Sequence, residues 1–424
     1  MKVRYRYRLR PGRVAERYLL REWDACRFVW NELVATNRDI HTARHTIALV
    51  GAAPVTFGAA QQDKLLTHLR ATVVDQDGVK WLAAGSSVAQ QQTVRDYASS
   101  RAAALTDRTA KKGRAGRGMP QFKKRGIDRP SMNYTQRGFS IKTGRSGANV
   151  LVLPGKVQIP VVWSRELPNT PSSVRVSQDS LGHWYASFVV DAPEVAAPEV
   201  STPVAIGVDW GVAEIATTTR VHTHTGDTDE SATYDLAHPG HRTRAQAKLT
   251  VAQRAMSRRK PARGKPASKG YLRAKKTAAK AHLQVARRRQ DDARKWAKKL
   301  VQDHDQIAVE NFRPKFLAKT TMAKKAADGA IGIAMQELIW QALKAKRDLR
   351  LVNPANTTTD CYSCGTRATH RLPLGQRTYT CATCGISRPR DKNSAAVMVA
   401  RAGFVPAHAD GRRPGPRTRV DLAA

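Results

Sequence analysis

Four cysteines late in the chain form two Cys-x2-Cys pairs, and sixteen residues separate the pairs. The pairs are Cys361 with Cys364 and Cys381 with Cys384, and a glycine follows each of them. Four thiolates at this spacing are typical of a closed tetrahedral Zn²⁺ site, which has no open coordination position for catalysis. We therefore predict one structural zinc ion in a small finger, in preference to a pair of redox cysteines.

The balance of charged residues constrains the kind of partner that the chain can bind. The chain has 424 residues with 73 Lys+Arg against 34 Asp+Glu, a formal net charge of +39. An excess of this size predicts a polyanionic partner, and nucleic acid is the first candidate. Much of it lies at residues 2–9, 108–129 and 242–299 and in the tail after residue 403. These segments are also compatible with a solvated surface on a basic RNA-binding protein that has no chemistry of its own.

The apolar pattern excludes other classes of protein. No apolar run approaches the roughly 18 residues that would span a bilayer. Residues 2–9 alternate between basic and apolar side chains, unlike a signal segment. Cysteines clustered for a metal fit a reducing compartment. We expect a cytoplasmic, nucleoid-associated protein with no membrane partner.

Periodicity divides the first half of the chain. The alternation at residues 2–9 predicts a strand, and helical spacing of apolar residues follows over 11–105. Short strand patterns separated by Gly, Pro and Asn turns then return up to about residue 190. We predict a small β-barrel built from 1–10 and 106–195, with a helical domain inserted over 11–105.

Three carboxylates dominate the second half, after a Pro-rich linker at 196–203. Asp209 and Glu310 end buried-type strands, and Asp391 opens a helix behind the cysteines. Carboxylates at such strand ends suit hard cations. Three that converge would bind two Mg²⁺ about 4 Å apart, the arrangement for in-line attack on a phosphodiester. The alternative is that each acid caps a turn or pairs with a lysine.

The ordered motifs resemble one family. IGVDWG, IAVENF, the cysteine region and RDKNSAA resemble, in this order, the RuvC-like nuclease and zinc-finger half of TnpB, the RNA-guided endonuclease of insertion sequences. The compact type V CRISPR effectors are similar. The opening RYRLRPG, the basic MPQFKKR block and the strand GHWYASFVVD also resemble the family. The resemblance covers most of the chain up to about residue 403.

The resemblance implies a multidomain α/β fold. It consists of an RNase H-like (RuvC) nuclease domain with an inserted four-cysteine zinc finger, and an N-terminal β-barrel (wedge) with a helical recognition insert. The implied boundaries are 1–10 and 106–195 for the wedge, 11–105 for the recognition domain, 204–352 and 385–403 for the nuclease, 353–384 for the finger and 404–424 for a disordered basic tail.

The resemblance also assigns residues and partners. It implies that Asp209, Glu310 and Asp391 are the catalytic, Mg²⁺-binding triad and that the four cysteines hold zinc. Pro389 stands where relatives usually carry an acid. The partners would be a guide RNA and double-stranded target DNA bearing a short flanking motif, bound by a monomer or a dimer. The expected phosphate contacts are Lys123, Lys124, Arg125, Arg287, Arg288 and Arg289.

The function expected from all of this is RNA-guided, Mg²⁺-dependent cleavage of DNA at a single RuvC-like site. Three alternatives remain open at the level of the sequence. The first is an RNA-guided DNA-binding regulator that does not cleave, and the second is a DNA-strand transferase. The third is a guide-independent RNA binder, which would leave the three carboxylates unexplained.

Overall fold

The computed structural model describes residues 2–49, 56–110, 116–144, 147–191, 200, 203–262, 265–312, 317, 320–370, 372–373 and 375–405. It divides into two compact units, Met1–Pro193 and Glu194–Ala424. Most of the expected linker at 196–203 and nearly all of the expected tail lie outside the described residues. Nowhere in the described ranges is a helix both long enough and apolar enough to cross a membrane.

The first unit contains a seven-stranded antiparallel sheet in the order β2-β6-β7-β1-β5-β4-β3. The alternation of β1 buries Tyr7 and Leu9 in the core and exposes Arg4 and Arg6, as expected. Since β2 and β3 end the described ladder, a closed barrel stays a prediction. The strands are β1 (Lys2–Leu9), β2 (Ser131–Thr135), β3 (Ser140–Thr143), β4 (Asn149–Leu153), β5 (Val157–Val162), β6 (Ser173–Gln178) and β7 (Trp184–Asp191).

Four helices lie between β1 and β2 in the chain. They form a core of their own around Trp30, Leu33 and Tyr97, and the Trp30 and Tyr97 rings meet edge to face. Ser86 begins the last of them by accepting a hydrogen bond from the Ala89 N–H. The helices are α1 (Arg13–Leu49), α2 (Ala59–Thr72), α3 (Trp81–Ala84) and α4 (Ser87–Thr109).

The second unit is built on a five-stranded mixed sheet in the order β10-β9-β8-β11-β12. The central strand β8 runs antiparallel to β9 and parallel to β11, which in turn runs parallel to β12. The apolar runs predicted the two central strands, and both are almost wholly buried. The strands are β8 (Val204–Trp210), β9 (Ala216–His222), β10 (Thr228–Asp229), β11 (Gln306–Glu310) and β12 (Asp348–Val352).

Helices cover both faces of this sheet. Alternate strand residues such as Ile206 and Val309 pack with Trp296 of α6 and Leu338 of α8. On the other face the strands pack with α9. A short hairpin between β12 and α9 carries the last two cysteines. The elements are α5 (His241–Arg258), α6 (Lys269–Asp303), α7 (Ala323–Gly329), α8 (Ile331–Lys344), β13 (Thr378–Thr380), β14 (Ser387–Pro389) and α9 (Arg390–Ala402).

Candidate active site and metal cluster

The three predicted carboxylates lie on the three elements expected for them. Asp209 is the penultimate residue of β8, Glu310 is the last residue of β11, and Asp391 is in the first turn of α9. Val208 stands opposite Val309 in the parallel pairing of β8 and β11. The next residue on each strand is Asp209 and Glu310, so these two carboxylates leave neighbouring strands at the same level.

A glycine allows α9 to approach β8. A Cβ atom on Gly207 would lie 1.9 Å from the carbonyl oxygen of Ala395, a distance that no real side chain tolerates. Helix and strand backbones are therefore in direct contact two residues before Asp209. This close approach brings Asp391 near enough to Asp209 for their charges to interact.

The electrostatics of the three acids are unfavourable. Burial, followed by the charges of Glu310 and Asp391, raises the pKa of Asp209 well above its usual value, although Arg390 opposes the shift. Burial raises the pKa of Glu310 to about 7, against the effect of a hydrogen bond from the Trp210 N–H. A divalent cation would remove this cost of holding negative charges together.

The acids differ in their partners. Within the described ranges, neither Asp209 nor Glu310 forms an ion pair. Asp391 has Arg390 Nε at 3.4 Å and Arg377 Nη1 at 3.9 Å. Two neighbouring acids that form no ion pair within the described ranges are a donor set that fits Mg²⁺, which prefers carboxylate oxygens.

The four cysteines converge as predicted. The Sγ atoms of Cys361 and Cys384 lie 3.8 Å apart, those of Cys364 and Cys381 lie 3.6 Å apart, and all four are within 4.8 Å of one another. These separations match the edge of a tetrahedron with metal–sulfur bonds of about 2.3 Å, roughly 3.8 Å, and far exceed a disulfide bond. The cluster can hold a metal ion.

Both cysteine pairs use the same backbone turn. Gly365 and Gly385 have the same positive φ of 72°, which favours glycine. Each of these glycines donates its N–H to the carbonyl of the first cysteine of its pair. In the part of the chain that the structure describes, this cluster is the one group of three or more ligand residues within 4.8 Å. By the same measure, the three carboxylates are more widely spaced than the cysteines.

The residues after Asp391 anchor the first turn of α9, and sequence reasoning missed their role. The Nζ of Lys392 is buried and donates to the Asp235 carboxylate at 2.8 Å and to the carbonyl of Thr218 at 2.8 Å. The carbonyl of Lys392 accepts a hydrogen bond from the Thr219 hydroxyl at 2.9 Å. Lys392 therefore ties the helix to β9.

Asn393 ties the same turn to the cysteine finger. Its side chain accepts a hydrogen bond from the Tyr362 N–H at 3.1 Å and donates to the carbonyl of Asp360 at 2.8 Å. Asn393 has no exposed surface. A polar residue followed by the small and apolar run SAAVMVA was a signal that it is buried and hydrogen-bonded.

The basic block at 121–125 has two parts. Segment 121–123 binds along α1: the Trp30 indole N–H donates to the carbonyl of Gln121 at 2.9 Å. The side-chain amide of Asn31 binds the backbone of Lys123 twice: its oxygen accepts from the Lys123 N–H at 2.8 Å, and its nitrogen donates to the Lys123 carbonyl at 3.0 Å. The Lys123 Nζ lies 3.7 Å from the centre of the Trp30 ring, and burial lowers the pKa of this lysine. Lys124 and Arg125 follow and are exposed.

The arginines of α6 also differ from one another. Arg289 pairs with Asp328 at 2.6 Å, and its side chain is only 15% exposed. Asp328 in turn accepts from the Arg242 and Thr243 N–H groups at the start of α5. Arg287 and Arg288 are exposed. Lys123 and Arg289 thus have internal partners, and all six residues stay predictions as phosphate contacts.

Three parts of the chain match models of known protein families. Residues 1–46 match a family model described as "Helix-turn-helix domain", residues 187–320 match "Probable transposase", and residues 334–398 match "Cas12f1-like, TNB domain". The last two matches contain the sheet, the first two acids, the cysteine cluster and Asp391.

The similarity also extends to whole chains. A "Putative RNA-guided DNA endonuclease" of Streptomyces pristinaespiralis is 26% identical over 98% of this chain and 92% of the relative. The "Putative RNA-guided DNA endonuclease InsQ" of Escherichia coli strain K12 is 24% identical over 93% of this chain and 91% of the relative. The chain is TnpB-like.

A solved structure shares the fold of this TnpB-like chain. The protein in a cryo-EM structure of a Cas12f1–sgRNA–target DNA complex aligns with a TM-score of 0.50 at 11% identity. The alignment covers 93% of this chain and 98% of that protein. At so low an identity the likeness is one of fold.

Proposed function

We propose that the chain is an RNA-guided, Mg²⁺-dependent DNA endonuclease with one active site formed by Asp209, Glu310 and Asp391. The observation that carries the proposal is the grouping of these acids on β8, β11 and α9, where burial, followed by the charges of Glu310 and Asp391, raises the pKa of Asp209. Both relatives above bear the name of this activity. A basic RNA binder without chemistry would gain nothing from such a costly group.

The finer architecture belongs to this proposal. The mixed sheet β8 to β12 with α6, α8 and α9 would be the RNase H-like nuclease domain, over 204–352 and 385–403. Residues 353–384 would be its inserted finger. The seven-stranded sheet would close as a wedge β-barrel, and α1 to α4 would be the recognition insert.

The side chains at the active site would have two roles, binding metal ions and positioning the acids that bind them. Asp209, Glu310 and Asp391 would hold two Mg²⁺, which when bound would activate a water molecule and stabilise the leaving oxygen. The Trp210 N–H fixes one Glu310 oxygen at 3.1 Å. Lys392 and Asn393 keep Asp391 at the sheet by holding its helical turn from two sides. Arg377 and Arg390 balance part of the charge of Asp391.

The cysteine cluster would hold one zinc ion with a structural role. The four sulfurs leave no open position, and Asn393 connects the finger backbone to α9. We expect one zinc ion per purified chain, and we expect Cys384→Ser to lose it and to unfold the finger. Cys26→Ala is the matched control, because Cys26 is buried in the other unit. A full zinc content in Cys384→Ser would contradict this assignment.

The partners would be a guide RNA and double-stranded target DNA beside a short flanking motif. The surplus of 39 positive charges supports two polyanions bound together. The expected phosphate contacts are the exposed Lys124, Arg125, Arg287 and Arg288, with Lys123 and Arg289 in supporting positions. Binding would weaken steeply with salt. The protein would act as a monomer or a dimer, in the cytoplasm near the nucleoid.

The decisive experiment uses the chain purified with its co-expressed RNA. Incubated with a matched, motif-flanked plasmid and Mg²⁺, it should cut the plasmid, and Asp209→Ala should abolish cutting while RNA binding is retained. Asp291→Ala is the matched control, since Asp291 is an exposed acid whose ion pair, among the described residues, is with Lys295 on the same helix. An intact plasmid with the wild-type chain would refute the proposal.

A second activity has one observation in its favour. The family that matches residues 187–320 is described as "Probable transposase". A transposase joins DNA strands, and on this chain Asp209, Glu310 and Asp391 would be the acids that serve that reaction. The plasmid assay separates the two activities, because strand transfer yields joined ends and hydrolysis yields open breaks. Tight DNA binding with neither product would indicate a regulator that does not cleave.

A further inference from the structure

An open cavity of about 850 Å³ lies in the first compact unit, beside β3 and the segment that connects β5 to β6. Its size falls within the range of about 300–1,000 Å³ common for small-ligand sites. The residues that line it include the aromatic Phe139 and Trp163, the amide residues Gln136 and Asn169, and Arg165. The acids and cysteines described above belong to the other unit.

The Trp163 ring is a fixed aromatic platform at this wall. It stacks on the Phe188 ring at 5.8 Å between centroids and 14° between planes, and Phe188 is fully buried. The Trp163 indole N–H donates to the carbonyl of Asn149 at 2.7 Å. One side of the indole therefore packs on the core, and the half-buried ring keeps surface at the cavity. A ring held in this way can stack on a planar ligand with little loss of entropy.

Polar groups surround the platform. Gln136 and Asn169 are amide residues, and amides read the edges of unstacked bases in RNA recognition. The Asn169 Nδ2 already donates to the carbonyl of Asp191 at 2.9 Å, which leaves its Oδ1 as the group that can accept from a base. Glu166, also in the wall, is a carboxylate that can accept from a base amino group.

One cation completes the site. Arg165 is exposed, and its guanidinium lies 4.9 Å from the centre of the Tyr5 ring and 5.9 Å from that of Tyr7. The two tyrosine rings hold the guanidinium beside the cavity, where it can meet a phosphate. An aromatic platform, base-reading amides and an adjacent phosphate contact are together the chemistry of one nucleotide.

We infer that this cavity binds one unstacked base of the guide RNA, with the base stacked on Trp163 and its phosphate at Arg165. The inference rests on the proposed function for the identity of the RNA. A free nucleotide has the same chemistry, so the test must separate a nucleotide within RNA from a nucleotide alone.

The experiment uses the purified full chain and a photoreactive base, with no DNA and no Mg²⁺. The chain is irradiated with a short single-stranded RNA containing thiouridine or, separately, with thiouridine monophosphate, and crosslinked peptides are located by mass spectrometry. We expect the RNA to crosslink at Trp163 or Phe139. Crosslinks confined to other residues would overturn the inference. So would a monophosphate that reacts at the cavity as efficiently as the RNA, because the site would then be one for free nucleotides.

Two pairs of variants sharpen the test. Arg165→Ala should lower the crosslink yield at the cavity about tenfold, whereas Arg137→Ala removes an equally exposed arginine that does not line the cavity and should not. Trp163→Ala should lose the crosslink and Trp163→Phe should keep it, with thermal unfolding measured for both. Equal yields in the two arginine variants would refute the inference. Since cleavage is never measured, failure here leaves the nuclease proposal standing.

Discussion

Trp210 donates two hydrogen bonds to Glu310, one from its backbone N–H to the carboxylate at 3.1 Å and one from its indole N–H to the carbonyl oxygen at 3.2 Å. The residue next to Asp209 thus binds the second acid of the site on both its side chain and its backbone. This pair of bonds fixes the separation of the ends of β8 and β11. The indole also packs edge to face on Trp296, which fixes its own position.

Trp210→Phe should therefore weaken both stability and cleavage. The variant keeps an aromatic ring and the backbone bond but removes the indole donor to the Glu310 carbonyl, which still accepts from the Phe312 N–H at 2.8 Å. The lost hydrogen bond should cost about 0.5–1.5 kcal/mol in unfolding free energy. Urea unfolding and the cleavage rate would measure the two effects. Trp340→Phe is the control, because Trp340 is 45% exposed. Equal effects of both substitutions would contradict this account.

Gly207→Ala should separate α9 from β8. Its methyl group would meet the Ala395 carbonyl at 1.9 Å, so the helix must move, at a cost of about 1–3 kcal/mol or more. Asp391 moves with the helix, and we expect cleavage to fall further than stability alone explains. Gly375→Ala places its methyl group in open space and should change neither property. A Gly207→Ala protein with wild-type activity would show that the close contact is dispensable.

Lys392→Met should be strongly destabilising, because it leaves Asp235 buried without its cation. Breaking a buried ion pair from one side costs about 3–5 kcal/mol. The double variant Lys392→Met with Asp235→Asn should recover part of the loss, since no unpaired charge then remains. Chemical denaturation of the two proteins gives the comparison. No recovery in the double variant would mean that Lys392 acts through its bonds to backbone carbonyls.

Acid should destabilise the second unit through His304. Burial lowers the pKa of His304, and Arg220 and Arg347 lower it further, whereas a bond to the Leu300 carbonyl and the charge of Asp303 oppose the shift. The folded pKa lies below the unfolded value of about 6.5. The unfolded chain therefore binds more protons below that pH, and stability falls as pH drops from about 6.5 toward the folded pKa.

His304→Phe tests this dependence. Asp209 and Glu310 have raised pKa values and shift stability in the opposite direction, so the comparison is between variant and wild type. We expect the unfolding free energy of the variant to fall less than that of the wild type between about pH 7 and pH 5. The exposed His222 replaced by Phe is the control. If the unfolding free energies of all three proteins depend on pH in the same way, His304 does not contribute to the loss of stability in acid.

The sequence predicted those parts of the site that depend on local patterns. Apolar runs ending in Asp209 and Glu310 are strands because a buried strand has no polar face, and Asp391 opens a helix because an apolar helical pattern follows it. The Cys-x2-Cys spacing likewise brings the two sulfurs of each pair close together. Each of these signals lies within a few residues of the side chain that it positions.

The rest could not be predicted because it depends on residues distant in sequence. The partner of Lys392 is Asp235, which no local pattern connects to it, and in a chain with 73 basic residues a lysine is first taken for surface. Lys123 is similar: its place over Trp30 depends on a clamp by Asn31 from a helix 92 residues earlier. The folded structure is needed to show which basic side chains bind partners within the protein.

The first turn of α9 assigns one direction to each of three consecutive residues. Asp391 faces the other two acids, Lys392 binds β9 and Asn393 binds the finger. Successive residues of a helix differ in direction by about 100°. A substitution at one of these positions removes one function, whereas a single inserted or deleted residue would rotate every later side chain to the wrong partner. This stretch of the chain should therefore tolerate a change of length even less than the loss of any one of the three side chains.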